Sequence, residues 1–202
     1  FNFPLLLMAW KVAPALAAGN TLVCKPPHQN PLSNLLMAEC YEGLPPGVVN
    51  LVTGGPTTGE ALVRHPGVDL IAFTGSVAAG RRIASLAGAE PKKVNLELGS
   101  VDPFIVFADA DLDIAVRGVA WARMLNAGQV CTSAERFYVL DDVYDDYLQA
   151  FTDHTQSLVI GDPLDPNTDV GPMVSAAQRL KVADQVEAAV GTGAELVVGG
   201  GN

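Results

Sequence analysis

Apolar positions recur along this chain in two rhythms: a helical spacing of three to four residues, and short continuous runs of the kind a buried strand shows. "PLLLMAWKVAPALAAG" (4–19) has the helical spacing and stops at Gly19. "TLVCK" (21–25) reads as a short strand, and "PLSNLLMAECYEG" (31–43) as a helix with proline at its start and glycine at its end. "VVNLVTGG" (48–55) and "DLIAFTGS" (69–76) predict strands that run into small residues. Each is followed by a predicted helix, "TTGEALVRH" (57–65) and "VAAGRRIASLAG" (77–88). "KKVNLEL" (92–98) and "PFIVFAD" (103–109) predict two more strands. The helix "DLDIAVRGVAWARMLNAG" (111–128), with Asp111 or Asp113 near its N-terminus, leads to the strand "RFYVL" (136–140). Helices over 143–159 and 175–193, separated by the turn-rich loop "GDPLDPNTDVGP" (161–172), and a final strand over 194–201 complete the pattern. This alternation of strand and helix predicts an α/β fold with parallel sheet.

In such folds ligands bind at the carboxyl ends of the strands. "TLVC" ends in Lys25-Pro26-Pro27, "VVNLVT" in Gly54-Gly55, and "DLIAF" in Thr74-Gly75-Ser76. The last two lead into helix N-termini, where unpaired N–H groups and the helix dipole favour a phosphate. The spacing is not GxGxxG, so the ordinary Rossmann fingerprint is absent. Each glycine taken singly reads as a plain turn, and only the set of strand ends points to a nucleotide.

Composition narrows the partners. The chain has 202 residues, enough for one large domain or parts of two, and is 49% hydrophobic, enough to bury a core. With 12 Lys+Arg against 22 Asp+Glu, its net charge of -10 argues against a nucleic-acid partner and against adhesion to anionic membranes. The apolar first twenty residues carry Lys11 mid-run and Pro14 after it, with no basic segment before them, so a buried amphipathic helix is expected rather than a targeting segment. Cys24, Cys40 and Cys131 are an odd count without close spacing, so no disulfide or metal framework is read and a reducing, cytoplasmic setting is expected. Cys24 and Cys40 read as inert packing residues. His28, His65 and His154 are scattered, and no GxSxG elbow marks a serine nucleophile. Packing is also the default reading of Cys131 in "GQVCTSAER", because free cysteine behaves as a small hydrophobe.

From end to end, however, the chain resembles the aldehyde dehydrogenase superfamily. The resemblance runs from "NFPLLLMAWKVAPALAAGNTLVCKP" through "GLPPGVVNLVTG", "IAFTGS", "VNLELGS", "FADADLDIA" and "NAGQVCTSAER" to "GDPLDPNTDVGPM", with order and spacing preserved. It implies a Rossmann-like cofactor domain over 1–97 and part of an α/β catalytic domain over 98–202. It also implies NAD as cofactor with NADP tolerated, a small-molecule aldehyde as substrate, and a homo-oligomeric parent. The superfamily's chains are more than twice as long, so the sequence reads as an internal fragment truncated at both ends.

The resemblance assigns roles residue by residue. Cys131 matches the nucleophile, whose attack on an aldehyde carbon gives a thiohemiacetal and, after hydride departure, a thioester. Asn2 matches the asparagine whose amide, with the cysteine's own N–H, stabilises the oxyanion; one such donor is worth about 10²–10³ in rate. Glu97, in "NLELGS", matches the general base that activates water against the thioester, although alone it reads as a solvated strand residue. Lys11 matches a lysine behind that base, and a structural ion pair is an equal reading. Lys25 resembles the lysine at the adenosine ribose, and Gly54, Gly55, Thr74, Gly75 and Ser76 fall at the strand ends that hold the dinucleotide. Leu98 and Gly99 resemble the turn beside the nicotinamide. Leu7, Trp10, Trp121 and Leu125 match tunnel positions, and their bulk and lack of charge fit an apolar or small aldehyde.

Three positions depart from the superfamily's pattern. His28 stands where many members have a glutamate that holds the ribose hydroxyls and repels a 2′-phosphate. Ser100 replaces the second glycine of "ELGG", and Phe1 replaces a tryptophan. None of these removes a reacting group. Two rival functions are an acylating enzyme that passes the thioester to coenzyme A, and a catalytically silent structural or binding protein on the same fold. Glu97 argues against the first, and joint retention of Cys131, Glu97 and Asn2 against the second.

Overall fold

The strands pair in twos. In the computed structural model, which describes residues 1–200, β1 (Leu22–Cys24) runs parallel to β2 (Val49–Leu51), and β3 (Leu70–Gly75) to β4 (Lys93–Leu98). β5 (Asp102–Val106) runs parallel to β6 (Ala134–Val139). The α/β class with parallel pairing is as the alternation predicts, but among the described residues the strands form three separate ladders rather than one sheet. The chain divides into two units, Phe1–Gly99 holding the first two ladders and Ser100–Asn202 holding the third.

In the first unit, α1 (Pro4–Ala17) opens with proline, which lacks only an N–H that the first turn leaves unpaired. Its buried Met8 and Val12 lie one turn apart on a single face. Asn34 of α2 (Leu32–Met37) is 1% exposed and ties α2 to α1, donating to the Pro4 carbonyl (2.9 Å) and Met8 Sδ (3.2 Å). α3 (Pro56–Arg64) and α4 (Val77–Gly88) bury Val63, Leu86 and Ala87 against Ile71 and Ile83. Ser76 caps α4, its hydroxyl accepting from the Ala79 N–H at 3.3 Å. Gly80 lets α4 approach β4 closely: a Cβ there would fall 2.6 Å from Leu98 Cδ2.

In the second unit, α5 (Leu112–Met124) and α6 (Asp141–Ser157) pack with β5 and β6 around Val106, Val116, Val119, Ala134 and Tyr147. Asp111, not Asp113, is the cap of α5; it accepts from the Ile114 N–H at 3.1 Å. Phe104, Phe137 and Phe151 extend this core edge to face, with ring centroids 6.4 and 5.7 Å apart. α7 (Ala176–Gly191) follows the turn-rich loop and is capped by Ser175.

Several element readings need correction. The helix predicted over 31–43 is α-helical only to Met37 and tightens to a 3₁₀ turn over Ala38–Tyr41. Cys40, in that turn, is exposed, so it is not a packing residue. The helix predicted over 111–128 ends at Met124, because Asn126 and Ala127 adopt left-handed φ values of 53° and 56°. The final strand predicted over 194–201 does not form within the described residues 194–200: no described strand pairs with it, and an apolar run without a ladder partner leaves its backbone groups unsatisfied. Residue 201 lies outside the described residues. Among them, no helix is long and apolar enough to cross a membrane.

Candidate functional site

The first unit gathers Lys11, Thr74 and Glu97. β3 and β4 place Thr74 and Glu97 in register, so both side chains leave the ladder on one face, while Leu98 turns to the other and packs on Gly80. Any contact Leu98 makes on the Glu97 side therefore falls to its backbone. Lys11 of α1 donates to Thr74 Oγ1 at 2.7 Å and to the Leu7 carbonyl at 3.4 Å. Burial holds its ammonium below the usual lysine value, and the negative charge of Glu97 pulls it back up. Lys11 and Glu97 make no direct ion pair among the described residues, so the contact that fixes Lys11 is the threonine. Glu97 itself is exposed and open to water.

Asn2 lies just before α1, and the backbone on either side of it is held. Asn30 Nδ2 donates to the Phe1 carbonyl and Asn34 Nδ2 to the Pro4 carbonyl, each at 2.9 Å. Neither asparagine stood out in the sequence reading, although a polar residue inside the apolar run "SNLLM" is a signal for a buried hydrogen-bond partner.

The strand ends of this unit suit an anion. Lys25 Nζ donates to the Pro26 and Gly54 carbonyls, both at 3.1 Å, and no carboxylate pairs with it among the described residues. Gly54 has φ +151°, and a Cβ there would lie 2.1 Å from Thr58 Oγ1, so only glycine fits. Gly55 is the N-cap of α3, leaving that helix's first N–H groups without a side-chain cap. Gly75 precedes Ser76, whose hydroxyl still has its own proton to donate after capping α4. Gly99 has open space where a Cβ would stand. His28 is exposed and makes no side-chain hydrogen bond among the described residues. Leu7 and Trp10 lie one turn apart on α1.

The second unit holds Cys131, Trp121 and Leu125. Trp121 of α5 is 67% exposed and Trp10 of α1 is 64% exposed, so neither indole serves its unit's core. Cys131 is partly buried in a turn between Gly128 and β6. Ser100 Oγ lies 2.9 Å from the Cys131 carbonyl and 2.6 Å from Asp102 Oδ1, so one hydroxyl proton is shared between two acceptors. The β5–β6 register slips between Asp102 and Pro103, leaving Glu135 as the extra residue; Pro103 has no N–H to offer the ladder there. Asn126 and Gln129 hydrogen-bond each other's carbonyls at 3.1 and 2.9 Å, and Gln129 Oε1 accepts from the Val174 N–H at 3.0 Å.

A left-handed alanine costs about 1–2 kcal/mol. Glycine has no such cost but loses roughly 0.5–1 kcal/mol in chain entropy. Ala127→Gly is therefore expected to raise stability by about 0.5–1 kcal/mol. Thermal unfolding of the two proteins checks this, and an unchanged or lower midpoint would mean that Ala127 is not held left-handed.

The sequence matches the Aldehyde dehydrogenase family over residues 1–202. It is 44% identical to retinal dehydrogenase 2 of Homo sapiens, over 99% of this chain and 39% of that protein. Its structure superposes on lactaldehyde dehydrogenase from Escherichia coli with a TM-score of 0.96 at 41% identity, covering 99% of this chain and 43% of that one. Betaine aldehyde dehydrogenase from Staphylococcus aureus, in complex with NAD+, also superposes with a TM-score of 0.96, at 37% identity over 98% of this chain and 40% of that one. The chain thus spans about 40% of the length of the relatives it matches.

Proposed function

The chain belongs to the aldehyde dehydrogenase family, and from that premise we propose that the full-length protein oxidises an aldehyde to a carboxylic acid with NAD+, with Cys131 as nucleophile and Glu97 as general base. The observation that carries this reading is Glu97 itself: an exposed carboxylate on the strand face where Lys11 is fixed by Thr74. A base that takes a proton from water needs a carboxylate that water can reach, and Glu97 is exposed.

The thiolate of Cys131 adds to the aldehyde carbon, and the carbonyl oxygen becomes an oxyanion. The Asn2 amide and the Cys131 N–H donate to that oxyanion. Bound NAD+ supplies the acceptor for the hydride, and a thioester is left on Cys131. Glu97 takes a proton from water, whose oxygen attacks the thioester carbon. The acid leaves, and the sulfur is released for the next turnover. Lys11, its ammonium partly desolvated and fixed by Thr74, interacts through its charge with the Glu97 carboxylate.

Residues 1–97 carry the dinucleotide and 98–202 the nucleophile. Lys25, Gly54, Gly55, Gly75 and Ser76 would hold the cofactor. The unpaired Lys25 cation, the α3 N-terminus and the glycine-only position at 54 support this assignment. Leu7, Trp10, Trp121 and Leu125 offer apolar surface to the substrate, and the two exposed indoles support an apolar or small aldehyde. Formation of reduced nicotinamide by the full-length protein with a panel of aldehydes tests the proposal, and no reduction with any aldehyde would reject it.

Cofactor choice turns on His28. It carries no carboxylate to repel a 2′-phosphate, so NADP is tolerated while NAD is used. His28→Glu should raise the ratio of kcat/KM for NAD over NADP roughly tenfold, equivalent to about 1.4 kcal/mol of charge repulsion. A ratio that does not move would place His28 away from the ribose.

A further inference from the structure

Arg123 stands in the last turn of α5 and reaches both ends of the turn that carries Cys131. Its Nη1 donates to the Gly128 carbonyl (3.3 Å) before the cysteine and to Ser133 Oγ (3.0 Å) after it. Glu135 Oε1, on the bulged residue of β6, lies 3.8 Å away and balances the charge. Ser133 is 1% exposed, and its hydroxyl donates to the Ala122 carbonyl at 3.3 Å, so the buried serine is satisfied through the helix that bears the arginine. Glycine at 128 makes room for this contact: a Cβ there would lie 3.0 Å from Arg123 Nη1 and 3.3 Å from the Arg123 carbonyl.

We propose that Arg123 is a positioning residue that clasps both ends of the Gly128–Ser133 turn and so aims the Cys131 thiol. The chain enters this turn through left-handed Asn126 and Ala127, a conformation that persists only where surrounding contacts over-determine it. One guanidinium nitrogen, Nη1, bonded to both ends supplies such a constraint. A solvent-facing arginine that merely favoured the helix terminus would have no use for a buried serine.

The inference rests on the reading of Cys131 as nucleophile, and its test separates the two. In the full-length protein, with Cys40→Ser to silence the exposed thiol, Arg123→Met, Arg123→Lys and Ser133→Ala are compared for kcat, KM, dinucleotide affinity and thermal midpoint. The rate at which iodoacetamide alkylates Cys131 is read by mass spectrometry on the peptide that carries it. The expected result for Arg123→Met is a kcat roughly 10–100-fold lower, the scale for a misaimed reacting group, with KM, dinucleotide affinity and alkylation rate within about threefold. Arg123→Lys should recover part of kcat. Ser133→Ala should lower kcat in the same sense, and it carries the test if Arg123→Met does not fold. Unchanged kcat in the folded variants would overturn the clasp, as would kcat and alkylation falling together, which would make Arg123 a modifier of thiol reactivity. Turnover that survives complete alkylation of Cys131 would instead overturn the nucleophile, and the clasp with it.

Discussion

Cys131→Ala should lower aldehyde oxidation by more than about 10³-fold, the scale for losing a nucleophile, while dinucleotide affinity stays within about twofold. The strand ends assigned to the dinucleotide, around Lys25, Gly54 and Ser76, lie in the first unit, and Cys131 lies in the second. Removing one sulfur atom therefore leaves the first unit's fold untouched. The other two thiols serve as controls. Burial pushes the Cys24 thiol above its ordinary value and keeps it protonated, and Cys40 is exposed on a 3₁₀ turn; substitution of either should leave turnover near normal. Steady-state turnover and dinucleotide titration of the three variants check this. Near-normal turnover in Cys131→Ala would remove the basis of the mechanism.

Glu97→Gln separates the two halves of the reaction. The amide is nearly isosteric with the carboxylate, so the β3–β4 ladder and the Lys11–Thr74 bond should survive. It cannot take a proton from water. The thioester should therefore form at close to its normal rate and then wait. Rapid mixing should show a burst of reduced nicotinamide approaching one per active site, followed by turnover slowed roughly 10²–10⁴-fold, the usual contribution of a general base. Loss of the burst with Cys131 still open to alkylation would give Glu97 a part in the first half-reaction. An unchanged steady state would make it the solvated strand residue that it otherwise resembles.

Helix α4 was legible to its last residue, because a serine cap, a helical apolar spacing and a glycine all lie within "SVAAGRRIASLAG". The end of α5 was not. Leu125 and Ala127 are good helix formers, and where the helix stops at Met124 the chain is held by local contacts, Arg123 with Ser133 and Asn126 with Gln129, and by one distant contact, Gln129 with Val174. The last strand failed for a related reason. "AELVVGGG" has strand composition, but a ladder needs a second strand, and composition does not say whether one is present. Among the proposed site residues, Cys131, Glu97 and Asn2 are read from family resemblance, which rests on residue type and spacing. Asn30, Asn34, Ser100 and Arg123 hold backbone carbonyls 29 to 31 residues away or close a local turn. A carbonyl is present at every position, so nothing in the one-dimensional pattern marks which one a side chain will seek.

The central claim is that an acyl group passes through the sulfur of Cys131. Full-length Glu97→Gln protein, mixed with aldehyde and NAD+ and quenched in acid during the burst, should carry the acyl mass on the tryptic peptide 124–136, in which Cys131 is the one cysteine. The account predicts near-complete labelling of that peptide, lost on treatment with hydroxylamine and absent without NAD+. A burst of reduced nicotinamide with that peptide unlabelled, or with the acyl mass on a peptide carrying Cys24 or Cys40, would contradict it.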